Sequence, residues 1–157
     1  FASADDETQT AMRSGGVLLG RGVSREPDDL GRGAFVIRTL LGADQESGAL
    51  AVGDLLEQGD VVQFHVRDAN TAREDLEMLL TPQAFEDQAA GALLFTCNGR
   101  GSGMYGYPDG DISVVRTALG EDVPVAGVFC GGELGPIGGT NFIHGFTASM
   151  AVFRPKH

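Results

Sequence analysis

The apolar positions fall into short runs divided by glycine, and their period changes once along the chain. Residues 1–14, FASADDETQTAMRS, are acidic and polar with no sustained period, which reads as a flexible tail or linker. Val17-Leu18-Leu19, bracketed by Gly15-Gly16 and Gly20, predicts a strand over 16–23. SREPDDLGRG, residues 24–33, is a loop. The β-branched and aromatic run Phe35–Leu41 ends at Gly42 and predicts a second strand. A short strand follows at Ala49–Val52. In Val61–Arg67, Val62, Phe64 and Val66 alternate with Gln63, His65 and Arg67, the pattern of a half-buried strand.

Past Asp68 the period lengthens to that of a helix. Asp68 or Asn70 can cap a helix starting near Thr71, with Leu76, Leu79 and Leu80 on one face. Pro82 interrupts it, and a helical turn resumes over 83–90. Ala92–Cys97 is continuously apolar and predicts a strand buried on both faces. A glycine-rich loop occupies 98–110, then Asp111 caps a helix over 112–119 that Gly120 closes. Val123–Phe129 is a further apolar strand, 131–141 a second glycine-rich loop, and Phe142–Phe153 a closing strand bent at Gly145. The predicted fold class is α+β, or mixed α/β. A single central mixed sheet carries two main helices packed on one side, and residues 15–157 form one domain.

Composition and charge narrow the partners. The 157 residues contain 24 glycines without a G-x-y period, so the glycines mark turns and close backbone approaches. Twenty-two acidic against eleven basic residues give a net charge of -11, a field that repels nucleic acid and anionic membrane surfaces. Lys156 is the one lysine, and the arginines are scattered. No apolar run approaches the roughly 20 residues of a membrane span. The chain starts at Phe1 rather than Met, so the expectation is that a leader, tag or further domain has been removed or left out. Two cysteines, Cys97 and Cys130, suit free thiols in a reducing intracellular compartment, cytoplasmic or organellar after removal of a leader.

The chemistry-bearing residues gather in the second half. Gly101-Ser102-Gly103-Met104-Tyr105-Gly106 matches G-x-G-x-x-G, but Tyr107-Pro108-Asp109-Gly110 follows as turn chemistry, and the next helix begins too late for a dinucleotide. No Walker A lysine is present. Cys97, Cys130, His65 and His144 lack zinc-ligand spacing. These patterns call for no cofactor and no metal. A cysteine nucleophile with His144 as base is one reading of Cys97 or Cys130; a small buried hydrophobe is the other. Glu133 sits in a stretch from Val125 to His144 without another acidic residue, and Arg100 is likewise isolated among glycines. They either bridge one another or hold a ligand. The strand–helix–strand order over 92–129 favours parallel neighbours. That places both following loops, with Arg100 and Glu133, at one sheet edge near Cys97 and Cys130.

Ala92-Leu93-Leu94-Phe95-Thr96-Cys97-Asn98-Gly99-Arg100-Gly101 resembles the core signature of the FIST C-terminal domain family. So do Pro124–Phe129, Gly132-Glu133-Leu134-Gly135-Pro136-Ile137-Gly138-Gly139 and Asn141–Thr147, with Phe35–Arg38, Gly59-Asp60 and Val66–Ala69 in the first half. The resemblance covers about 15–153 and implies a sensory, signal-transduction module. It further implies binding of a small molecule, with amino acids or related carboxylate metabolites as the class, and no catalytic residue. Cys97, Asn98, Gly99, Arg100, Gly101, Glu133, Gly135 and His144 are the implied ligand-binding residues. The implied partners are an N-terminal FIST domain or a larger protein complex. The alternatives are an accessory interaction subunit without its own ligand and, behind it, a cysteine-dependent enzyme.

Overall fold

The computed structural model describes residues 4–156. The chain divides into two compact units. The first runs to Asp68 and takes in Gly135–His144, while the second holds Ala69–Leu134 and the chain from Gly145 onward. Among the described residues, nine strands in three sheets replace the single central sheet expected from the sequence. Within the segment expected to be a tail, Asp6–Gly15 is a helix, α1, whose cap Asp5 accepts the Thr8 amide at 2.7 Å; residues 1–3 lie outside the described residues.

In the first unit, β1 (Val17–Gly22), β2 (Phe35–Ala43), β3 (Leu50–Val52) and β4 (Val62–Val66) form an antiparallel sheet in the order β3-β2-β1-β4. β1 lies between β2 and β4, and Leu18, Leu19 and Val36 are buried apolar positions of this sheet. Arg21 and Arg38 both donate Nε–H to Asp54 Oδ2 at 2.9 Å. Burial opposes the Asp54 charge, but these bonds and the Leu55 amide outweigh it and hold the carboxyl below its usual range.

In the second unit, α2 (Ala69–Leu80) is followed by a 3-10 turn at Thr81–Phe85, so Pro82 ends the α-helix. β5 (Gly91–Cys97) is central in a three-stranded sheet of order β6-β5-β9. It runs parallel to β6 (Val125–Cys130) and antiparallel to β9 (Ala148–Phe153). Between β5 and β6 come a 3-10 turn at Asn98–Arg100, the short helix α3 (Ser102–Tyr105) and α4 (Gly110–Leu119). Leu76 and Leu80 of α2 and Val114 and Val115 of α4 bury Leu94 of β5 in one apolar cluster. In this unit α2 and α4 therefore pack on the face of β5 that carries Leu94.

The expected single sheet is divided between β1–β4 and the β6-β5-β9 sheet, and the segment 131–153 departs from it further. Its glycine-rich stretch forms a hairpin of β7 (Glu133–Ile137) and β8 (Thr140–His144). Gly138 and Gly139 make the turn at φ 57° and 82°, left-handed values that suit a two-residue hairpin. The expected closing strand is therefore two strands, β8 in the first unit and β9 in the second, separated at 145–147. Hydrophobic alternation marks strands but does not say which sheet each one joins.

Two of these contacts can be probed by substitution. A Cβ on Gly127 would collide with the carbonyl oxygen of its partner Leu94 and lie 3.1 Å from the carbonyl carbon. Backbone cannot yield as a side-chain tip does, so Gly127→Ala should destabilise the chain by about 1–3 kcal/mol in urea unfolding; an unchanged midpoint would show that β5 and β6 do not approach this closely. His65 stacks edge-on against Phe35 at 5.2 Å, and its buried Nε2 has no hydrogen-bond partner among the described residues. Burial lowers its pKa. The unfolded chain therefore takes up a proton first as pH falls through about 6.5. Stability should decline from there until the lower, folded pKa is passed. His65→Leu should flatten that decline in melting experiments between pH 7 and pH 5.

Candidate functional site

The parallel pairing of β5 and β6 brings Cys97 and Cys130 into direct register at the C-terminal ends of the two strands. The residues that follow each strand therefore leave from one sheet edge, as the crossover argument requires. A Cβ on Gly101 would stand 3.7 Å from the Phe129 ring, in ordinary contact, so the turn after β5 lies beside the end of β6. Asn98 is exposed and Gly99 half-buried in that turn.

Arg100 does not bridge to Glu133. It turns toward the helices and makes a two-pronged ion pair with Asp111, Nε–Oδ2 at 3.0 Å and Nη2–Oδ1 at 2.7 Å. Nη2 also donates to the Tyr105 hydroxyl at 2.9 Å and to the Ala72 carbonyl at 3.3 Å. Tyr105 in turn donates to Asp111 Oδ1 at 2.6 Å. Arg100, Asp111 and Tyr105 are 7%, 6% and 8% exposed. Burial disfavours the guanidinium charge, yet the Asp111 bonds and charge raise the Arg100 pKa above its ordinary value. Burial, then the bond to Asp111, push the Tyr105 hydroxyl far up, so it stays a donor. Gly110 permits the arrangement, because a Cβ there would collide with the Tyr105 ring.

The sequence pattern makes Asp111 a cap of α4. The helix instead starts at Gly110 with Asp109 in the cap position at φ 63° and no side-chain cap bond. Asp111 is spent on Arg100, and no spacing rule links these two residues across a loop. The one hint available is that an arginine isolated among apolar residues and glycines needs a counter-charge wherever it is buried.

Glu133 is 2% exposed. Its Oε2 accepts the Thr147 hydroxyl at 3.0 Å, while Oε1 has no hydrogen-bond partner among the described residues. Thr147 also accepts the Cys97 amide through its backbone oxygen at 2.9 Å. Thr147 therefore ties Glu133 to the end of β5. It is a site residue that sequence reasoning missed, since a threonine in a connecting segment carries no distinguishing pattern. Gly135 and His144 lie in the first unit, where the His144 ring Nε2 hydrogen-bonds the Gly135 carbonyl at 2.8 Å across the hairpin.

Two clefts in the second unit lie away from these residues. One of about 560 Å³ opens at the opposite ends of β5 and β6, beside Ala92, Pro124 and Ala126. The other, about 420 Å³, lies between α2 and α4 and is lined by Arg73, Glu77, Ser113 and Thr117.

A mixed sheet with paired strand ends, a buried carboxylate and an internal ion pair locking the crossover define the second unit as a small α+β module with one chemically loaded edge. The chain belongs to the FIST C domain family, whose model matches residues 4–136, and that domain is a signal-transduction-associated module. It is 46% identical over 152 residues to an uncharacterized protein of Mycobacterium tuberculosis, covering 96% of this chain and 39% of that protein. An uncharacterized protein of Mycobacterium bovis is 46% identical over 147 residues, covering 92% and 38% respectively. The chain thus spans about two-fifths of the length of these relatives. No solved structure matches it. No helix among the described residues is long and apolar enough to cross a membrane.

Removing Asp111 would leave a buried guanidinium without its counter-charge. Asp111→Ala should cost about 3–5 kcal/mol in chemical unfolding, and Tyr105→Phe about 1–2 kcal/mol. Near-wild-type stability of Asp111→Ala would refute the locking role.

Proposed function

We propose that the chain is a non-catalytic sensory module that binds a small amine-bearing metabolite, an amino acid being the simplest case, at the β5–β6 edge with Glu133 as its anchor. The observation that carries this reading is the buried Glu133 carboxylate with Oε1 unpartnered. A buried carboxylate with one neutral donor is costly. An ammonium group supplies both the charge and up to three donors. Arg100 is consumed by Asp111, so it positions the edge rather than gripping a ligand carboxylate. A ligand carboxylate would instead meet the backbone of the Gly131-Gly132 segment. Gly131 and Gly132 are exposed, and local opening of that segment admits the ligand.

Calorimetry against a panel of amino acids, each paired with the matching acid that lacks the amine, tests the proposal. Heat should appear for an amino acid and vanish for its deaminated partner. Glu133→Gln should weaken binding at least tenfold while the chain remains folded. Silence across the panel, or undiminished binding by Glu133→Gln, would overturn the reading.

A second reading, an interaction subunit, is favoured by the face of the β6-β5-β9 sheet opposite α2 and α4. Leu93, Phe95, Val128 and Phe153 share that face and are 37%, 36%, 56% and 53% exposed, the kind of apolar patch that a protein partner covers. A monomer in light scattering at every concentration, with no partner recovered, would count against it.

A further inference from the structure

We propose that Cys97 and Cys130 form a reversible redox pair, joined by an internal disulfide when a peroxide reaches the β5–β6 edge. Both are free thiols, and they are direct register partners on adjacent parallel strands. Register partners in a parallel pair point to the same side of the sheet, and neighbouring strands lie about 4.8 Å apart. That spacing falls within the roughly 4.4–6.8 Å between Cα atoms that a disulfide spans. The two thiols differ in access. Cys130 is partly exposed, and its Sγ makes a weak 3.6 Å contact with the Val128 carbonyl. Cys97 is 8% exposed.

This asymmetry assigns the roles. The Cys130 thiolate attacks a peroxide oxygen, the O–O bond breaks, and Cys130 becomes a sulfenic acid while the peroxide leaves as water or an alcohol. The Cys97 thiol then displaces the sulfenic hydroxyl as water, forming the S–S bond. In sum the two thiols lose two electrons and two protons, and the peroxide is reduced. A bridge between directly paired strands has little freedom to relax toward its preferred geometry, so a dithiol reductant reopens it readily.

The bridge stands on its own; its effect on a ligand rests on the reading of Glu133 given above. Cys130 is followed by Gly131, Gly132 and then Glu133, and the Cys97 amide holds Thr147, which holds Glu133. Closing the disulfide therefore pulls on both supports of the carboxylate.

The test is intact mass and thiol alkylation of the folded chain before and after hydrogen peroxide. The expected product is a monomer lighter by two hydrogens that takes up no iodoacetamide until dithiothreitol is added. Proteolysis should give one cross-linked peptide joining Cys97 and Cys130. In Cys97→Ser, dimedone should trap a sulfenic acid on Cys130. Two thiols still open to alkylation after peroxide would overturn the proposal. So would sulfinic or sulfonic products in place of the bridge, or disulfide-linked dimers as the main species. The main readout uses the unaltered chain, so an unstable variant does not blunt the test. Amino-acid binding by the oxidised and reduced forms then addresses the ligand separately.

Discussion

The parallel pairing of β5 with β6 is the constraint on which the second unit depends. Parallel neighbours cannot be joined by a tight turn, so the chain must leave the sheet after Cys97 and return before Val125. The return passes through α3 and α4, and the apolar face of α4 closes with α2 over Leu94. A long crossover is entropically costly to order. Here it is held from inside by the Arg100–Asp111 ion pair and the Tyr105 hydroxyl, which tie the turn after β5 to the start of α4. Close approach of the strands in turn requires glycine at 127. The ion pair, the glycine and the apolar cluster thus serve one geometric end: they deliver two strand termini to the same edge.

That edge concentrates groups left unused by the fold. Glu133 keeps one oxygen unsatisfied under nearly complete burial, and the two thiols stand in register at the ends of the strands. Structural needs do not explain a buried carboxylate without a cation when Arg100, isolated in the neighbouring loop, is already neutralised by Asp111. On the proposed reading, a ligand that brings its own positive charge meets that imbalance.

Much of this was legible in the sequence, and the failures have identifiable causes. Strands β1, β2, β4, β5 and β6 were recoverable from alternation or from continuous apolar runs, but those runs overstate burial: Val62 and Phe64 of β4 and Val128 and Phe129 of β6 are exposed, and β5 is buried on one face only, with Leu93 and Phe95 exposed on the other. The parallel relation of β5 and β6 followed from the helix between them. The sheet to which a strand belongs did not follow, since pairing partners leave no mark on a strand's own pattern. The run at 142–153 looked like one strand and is two. The β7–β8 hairpin hid in glycines, which signal a loop as readily as the left-handed turn of a hairpin. At the site, the isolation of Arg100 and Glu133 was visible, but their partners were not. Asp111 resembled a helix cap and Thr147 resembled nothing in particular, because both act through contacts across loops.

Where a ligand binds decides between these possibilities. Amide chemical shifts of the isotope-labelled chain, followed by nuclear magnetic resonance while a pool of amino acids is titrated in, would locate it. A ligand anchored on Glu133 should move the amides of Cys97, Gly131, Gly132, Glu133 and Thr147 most. Shifts confined to the cleft between α2 and α4 or to the opposite strand ends, or no shifts at all, would contradict a site at the β5–β6 edge.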